Sequence, residues 1–215
     1  MIRRNILGLM VCIAVLGVAT LSNAGIPDLA LSSAVTAAGS EVSVFSLPDG
    51  NGKGLFEAKT EGGGEVDATI TVTLLDATGA PIFLYPFEDM WLGSSLGGLV
   101  PCNGGSVADG STNISGDATF SGAMFAGGYS DRVGGEKCQV IVNGSALTSA
   151  GSDLSVLFNS SDIDGNGLVG LSDTVIFVPL YTGGGYDYSI DFFFDGAITL
   201  SDLVLYAGGL NTVCP

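Results

Sequence analysis

The sequence predicts a mainly β protein: an antiparallel β-sandwich followed by a small α-helical unit at the C-terminus. Three observations carry this expectation. Valine, isoleucine, leucine, phenylalanine and threonine fall in short alternating runs, and the 34 glycines between them lack the period of collagen. At 47% hydrophobic residues the chain has enough apolar material to build a core rather than remain disordered. Two stretches near the C-terminus, 162–173 and 191–202, repeat at an offset of 29 residues, each a polar loop running into a short apolar-periodic segment.

The N-terminus reads as a secretory signal peptide over residues 1–24. "MIRRN" supplies two arginines, "ILGLMVCIAVLGVATL" an apolar run, and "SNAG" the small residues for cleavage between Ala24 and Gly25. A single-span anchor is the rival reading, for which 16 apolar-leaning residues are short. No second long apolar run follows. The mature protein is therefore expected to be secreted, extracellular or at the cell surface, with no membrane insertion after cleavage. Its 191 residues suit a medium domain at 25–159 and a small one at 160–215.

Strands are expected in order. "EVSVFSL" (41–47) alternates. "VDATITVTLL" (66–75) alternates more clearly, with Val66, Ala68, Ile70, Val72 and Leu74 on one face. "DATGAP" follows as a turn, with Gly79 supplying a positive φ and Pro81 fixing the exit. Further strands are expected around Trp91, through Ala118 and Phe120, over "KCQVIVNG" with Cys138, Val140 and Val142 on one face, and over "SDLSVLFNS" (152–160). Six or more short strands spaced by turns indicate an antiparallel sandwich.

Three cysteines remain after cleavage, so an oxidising compartment allows one disulfide and one thiol. Cys102 and Cys138 share a domain and are the favoured pair. Cys214 is then free, joined to another chain, or a replacement partner. The net charge of −16 becomes −18 once Arg3 and Arg4 are removed, leaving Lys53, Lys59, Arg132 and Lys137 as the basic residues. Such acidity argues against nucleic acid and anionic membranes as partners, and suits divalent cations or simple solubility.

"ITVTLLDATGAPI", followed some thirty residues on by "STNISGDATFSG", resembles the bacterial immunoglobulin-like repeats of invasin type. The resemblance covers roughly residues 65–122. It implies an immunoglobulin-like sandwich acting as a spacer or adhesion module rather than an enzyme.

The C-terminal repeat carries more chemistry. Calcium takes six to eight hard oxygens, which a twelve-residue loop supplies from positions 1, 3, 5, 7, 9 and 12, with glycine at 6 for the bend. In "DIDGNGLVGLSD" these are Asp162, Asp164, Asn166, the Leu168 carbonyl, a water near Gly170, and Asp173, with Gly167 at position 6. Val169, at position 8, is expected to pair with Ile198 of the second copy. In "DFFFDGAITLSD" the ligands kept are Asp191, Asp195, the Ala197 carbonyl and Asp202, while Phe193 stands at position 3 and offers no oxygen. Either water replaces that ligand, or Phe192 to Phe194 pack inward and the loop keeps its shape without metal. Helices are expected over about 171–178, limited by Pro179, and about 200–207, ended by Gly208-Gly209. Thr199 is the candidate N-cap, with Asp202 serving both helix and metal.

Paired loops with Asp at position 12, a helix after each and no full helix before it, resemble type I dockerin modules over about residues 160–212. The resemblance implies two loop–helix units related by a pseudo-twofold axis, calcium-dependent folding and, in some members, a cohesin partner. In that family positions 10 and 11 help choose the partner. Here both copies read Leu-Ser, at Leu171-Ser172 and Leu200-Ser201. Only a few residues separate "DLSVLF" from Asp162, so the two parts are expected to be docked or rigidly joined.

Catalysis finds little footing. The chain has no histidine, which removes the usual general base. Glu88-Asp89 near Trp91 is the best sugar-site candidate, but reads as a strand edge with surface acids and a buried tryptophan. "GGGEVD" and "GGGYDY" lack the Lys-Ser/Thr ending of a phosphate loop. The expectation is a noncatalytic, calcium-binding structural or adhesion protein with a cohesin-like or self partner. The alternatives are a self-assembling homo-oligomer, such as a filament or surface-layer subunit, and a carbohydrate-binding module. Three sequons, at Asn113, Asn143 and Asn159, leave glycosylation open.

Overall fold

The computed structural model describes residues 25–215, and the expected signal peptide at 1–24 lies outside them. The described chain is mainly β, with twelve strands in four sheets and two α-helices. No helix among the described residues is long and apolar enough to cross a membrane.

One sheet orders β1 (Ser33–Thr36), β5 (Ile70–Thr73) and β8 (Asp117–Phe120), antiparallel throughout. Ala68, Ile70, Val72 and Leu74 are all fully buried, the face expected from their period of two. The run does not form one strand, however. Asp67 takes the Thr69 N–H at 2.8 Å and breaks it, leaving β4 (Glu65–Val66) in another sheet. A second sheet orders β11 (Ser145–Ala146), β10 (Cys138–Val142) and β6 (Met90–Ser94). Cys138, Val140 and Val142 face inward along β10, as their spacing predicts.

The third sheet orders β12 (Val156–Ser160), β2 (Val42–Ser46), β3 (Ala58–Thr60) and β4. Here β12 runs parallel to β2, from Val156 opposite Val42 to Ser160 opposite Ser46, so the sandwich is not wholly antiparallel as expected. The parallel course lets the chain leave the sheet beside Ser46 and Leu47, where the C-terminal unit packs. All five residues of β2 are buried. Its polar face is covered rather than solvated, and Ser43 Oγ meets the Tyr188 hydroxyl at 2.8 Å. A two-stranded ribbon, β7 (Leu99–Pro101) with β9 (Ala126–Gly128), completes the set. The main core gathers Val44, Leu55, Ile70, Leu92, Phe120, Val140 and Phe158 from all these layers.

The disulfide departs from expectation. Cys102 joins Cys214, with Cα atoms 5.6 Å apart, and Cys138 is a buried free thiol. Cys138 points into the core beside Val140, where burial pushes its thiol pKa up and no other sulfur reaches it. Cys102 lies just past the end of β7, where the C-terminal tail arrives.

Helix α1 (Leu171–Gly183) runs beyond its expected stop and contains Pro179. Thr182 Oγ1 donates to the Val178 carbonyl at 2.8 Å one turn before it, and Tyr181 stacks on Phe177, which holds the extra turn against the core. Helix α2 (Leu200–Gly209) also includes the glycines expected to end it. Gly209 is buried where a side chain would meet Leu47 and Ser161 at 2.8 Å, so it serves close packing rather than termination. Phe45 and Leu47 of the sandwich join Ile163, Val169, Phe177, Ile190, Phe192 and Tyr206 in a second core. Of the three sequons, Asn113 and Asn143 are exposed, while Asn159 is fully buried and its Nδ2 donates to the Asp191 carbonyl at 2.7 Å.

Candidate metal centre

Both loops fold on the same plan. In the first, Asp162 Oδ1 accepts from Asn166 N at 3.1 Å and Oδ2 from Gly167 N at 2.9 Å. Asp164 Oδ1 accepts from Asn166 N at 3.1 Å, and Asn166 Oδ1 from Leu168 N at 3.0 Å. Asp173 closes the ring, accepting from Asp164 N at 3.1 Å and Gly170 N at 2.8 Å. In the second, Asp191 accepts from Asp195 N at 3.2 Å and Gly196 N at 3.0 Å, and Asp195 from Ala197 N at 3.0 Å. Asp202 accepts from Phe193 N at 3.0 Å and Thr199 N at 2.9 Å, while Thr199 Oγ1 caps Ser201 N at 3.2 Å. Gly167 and Gly196 take φ of 86° and 81°, the left-handed bend that position 6 requires.

Position 4 separates the copies. Gly165 has φ 68°, but its counterpart Phe194 is held at φ 53°, where a side chain is strained. Phe194 accepts that backbone because its ring is buried against Tyr188 and the Arg132 guanidinium stands 5.1 Å from its centroid. Its carbonyl also takes the N–H groups of Gly62 and Gly63 at 3.0 and 2.9 Å. Phe192 fills the second core, 5.3 Å from Phe45, and Lys59 lies over Phe193 at 4.9 Å. The phenylalanine run thus docks the second loop onto the sandwich.

Electrostatics also separate the copies. Asp162, Asp173, Asp191 and Asp202 are all fully buried, yet residues 160–215 contain no lysine or arginine. The ion pairs among the described residues use Glu41, Glu57, Glu61 and Glu65 instead. Burying carboxylates without a cation is costly. The Asp162 pKa stands raised to about 6: burial lifts it most, Asp173 and Asp164 add to the rise, and the Gly167 and Asn166 N–H groups oppose it. Burial likewise raises Asp191, with Asp202 adding to it. Asp162, Asp164 and Asp173 bring carboxylate oxygens within 4.8 Å of one another, the one such acidic group among the described residues. The Asn166 amide oxygen and the Leu168 carbonyl belong to the same loop, and together with the three carboxylates they would offer an all-oxygen donor set to a hard divalent cation of calcium type. The second loop's Asp191, Asp195 and Asp202 are not drawn into such a group.

Two supports escaped the sequence reading. Gly128 N donates to the Asp162 carbonyl at 2.7 Å, and Val100 packs on Gly165, so the β7–β9 ribbon floors the first loop. A Cβ on Gly127 would strike the Asp162 carboxylate. Gly127→Ala is therefore expected to lower stability by about 1–3 kcal/mol and to weaken calcium binding, as read by melting with and without calcium. On the other side, the tail pairs with the loop. Val169 N donates to Thr212 O at 3.0 Å, Asn211 N to Val169 O at 2.9 Å, and Cys214 N to Gly167 O at 2.9 Å. The backbone partner of Val169 is thus the tail and not Ile198, which packs against the same core by its side chain.

The sugar-site candidate lies elsewhere. A groove of about 670 Å³ is lined by Phe87, Glu88, Trp91 and Asn103. Asp89 is not part of its wall, and Trp91 is half-buried rather than buried.

No protein-family model matches the chain, and no curated protein matches it. Among solved structures the chain is similar to the Lin-41 filamin domain, at 16% identity and a TM-score of 0.28, over 60% of this chain and 95% of that one.

Proposed function

We propose that this chain is a secreted, noncatalytic, calcium-binding structural or adhesion protein, in which an immunoglobulin-like sandwich carries a dockerin-like module for protein–protein attachment. One observation carries the reading: in a module without a single basic residue, two twelve-residue loops bury their position-1 and position-12 carboxylates over a left-handed glycine. A divalent cation supplies the missing positive charge. Asp162, Asp164, Asn166, the Leu168 carbonyl and Asp173 would hold it. The second loop, fastened by its phenylalanines, keeps its shape with little or no metal. Attachment would use the apolar residues both helices leave in solvent: Leu171 and Val175 on α1, and their counterparts Leu200 and Val204 on α2. The partner is a cohesin-like protein or a second copy of the chain.

Calorimetric titration of the mature protein with calcium, followed by light scattering in calcium and in EDTA, tests this. One tight site is expected, with a particle mass showing whether copies associate. Absence of any calcium heat, together with identical melting in calcium and EDTA, would overturn the reading.

A further inference from the structure

We infer that the Cys102–Cys214 disulfide and the first calcium loop form one coupled unit, in which the crosslinked C-terminal tail positions the Leu168 carbonyl for the metal. This rests on the calcium reading of that loop. The loop is gripped from two sides. Beneath it lies the β7–β9 ribbon, through Gly128 N on the Asp162 carbonyl and Val100 on Gly165. Above it lies the tail, whose Val213 stands opposite Leu168 in an antiparallel bridge. The hydrogen bonds of that bridge go to the residues on either side, Gly167 O and Val169 N. Leu168 and Val213 are thus the non-hydrogen-bonded pair of a short ladder, so the Leu168 carbonyl is not used by the tail and is free to face the loop. Leu168 N is held in turn by Asn166 Oδ1 at 3.0 Å.

The disulfide fastens the two jaws together. Cys102 follows directly on β7 and its N–H is tied to Phe125 O at 2.8 Å, while Cys214 N is tied to Gly167 O. A Cβ on Gly167 would lie 3.1 Å from Cys214 Sγ, which places the sulfur against the bend at position 6. The tail of six residues after α2, Leu210 to Pro215, forms no helix or strand of its own and would be loosely held without the crosslink. Held by the crosslink, it keeps positions 6 to 8 in the geometry a calcium ion needs, and the ordering cost is met before the ion arrives. The second loop has no tail and no disulfide of its own. By linkage, whatever factor the crosslink adds to calcium affinity, calcium adds to the persistence of the crosslink. The reductant is a dithiol. Each cysteine sulfur gains one electron and one proton, and the dithiol closes into its own disulfide as the Cys102–Cys214 bond breaks.

The test measures calcium affinity by calorimetry for the mature protein, Cys102→Ser and Cys214→Ser, with amide hydrogen exchange at Val169 and Cys214. Both variants are expected to bind calcium on the order of tenfold more weakly, with faster exchange at Val169. Saturating calcium is expected to shift the equilibrium with dithiothreitol towards the intact disulfide by the same factor. If the parent protein binds calcium and both variants bind it equally, the coupling is wrong and the calcium site stands. If the parent protein binds no calcium, both fall. Should one serine variant fail to fold, the other and the dithiothreitol equilibrium of the parent decide the question.

Discussion

Asp162→Ala is expected to weaken the tight calcium site severely, while Asp191→Ala leaves it in place. The two residues open equivalent loops and are equally buried, so their names alone do not separate them. Their surroundings do. Asp162 belongs to a group that includes Asp164 and Asp173 within 4.8 Å. Asp191 faces a loop whose third position is Phe193, covered by Lys59, and whose fourth, Phe194, packs on Tyr188. Removing the Asp162 carboxylate deletes a charged ligand and the acceptor for Asn166 N and Gly167 N. A loss on the order of 100-fold in affinity, about 2.8 kcal/mol, is expected. Asp191→Ala still costs stability, because Asp195 N and Gly196 N lose their acceptor, at about 1–3 kcal/mol. Calorimetry of the two variants side by side checks this, and equal losses of calcium binding would contradict the assignment of one dominant site.

Phe177→Ala is expected to destabilise the C-terminal unit by about 3–5 kcal/mol. Phe177 is buried and sits at the centre of a stack, with Tyr206 at 4.2 Å, Tyr181 at 5.4 Å and Phe192 at 6.1 Å between ring centroids. It therefore ties α1 to α2 and both to the second loop. Tyr206 adds a hydroxyl contact to Thr174 at 2.7 Å, so loss of the stack also loosens the polar seam between the helices. Val175→Ala, on the solvent face of α1, is the matched control and should change stability by less than about 0.5 kcal/mol. Urea denaturation of both variants distinguishes the outcomes. A small effect at Phe177 would mean that the loops, not the aromatic stack, hold the helices.

The alternating face of Ala68 to Leu74, the inward face of β10, the capping of α2 by Thr199 and the shared architecture of the two loops were legible in the sequence. Each depends on contacts between near neighbours or on a fixed period. What was not legible depends on distant parts of the chain. The parallel course of β12 beside β2 needs residues 42 and 156 to meet, and no local period encodes direction. The choice of Cys214 over Cys138 turned on the tail returning to the end of β7, a meeting of residues 112 positions apart that no spacing suggests. Pro179 was read as a stop because its missing N–H is a local cost, whereas the stacking of Tyr181 on Phe177 that outweighs it is tertiary. The glycines at 127 and 209 gave no signal in the sequence. Each matters only because a distant segment passes too close for a side chain.

The Cys102–Cys214 crosslink has a mechanical consequence. It joins residues 112 positions apart. A pull applied between Gly25 and Pro215 is carried across that bond and bypasses the chain between. At roughly 3.4 Å per extended residue, about 380 Å of polypeptide is shielded from stretching. Ribbon strand β9, strands β8, β10, β11 and β12, both loops and both helices lie within the shielded segment. Under load the crosslink lets only the chain before Cys102 be drawn out, while the first loop stays slack.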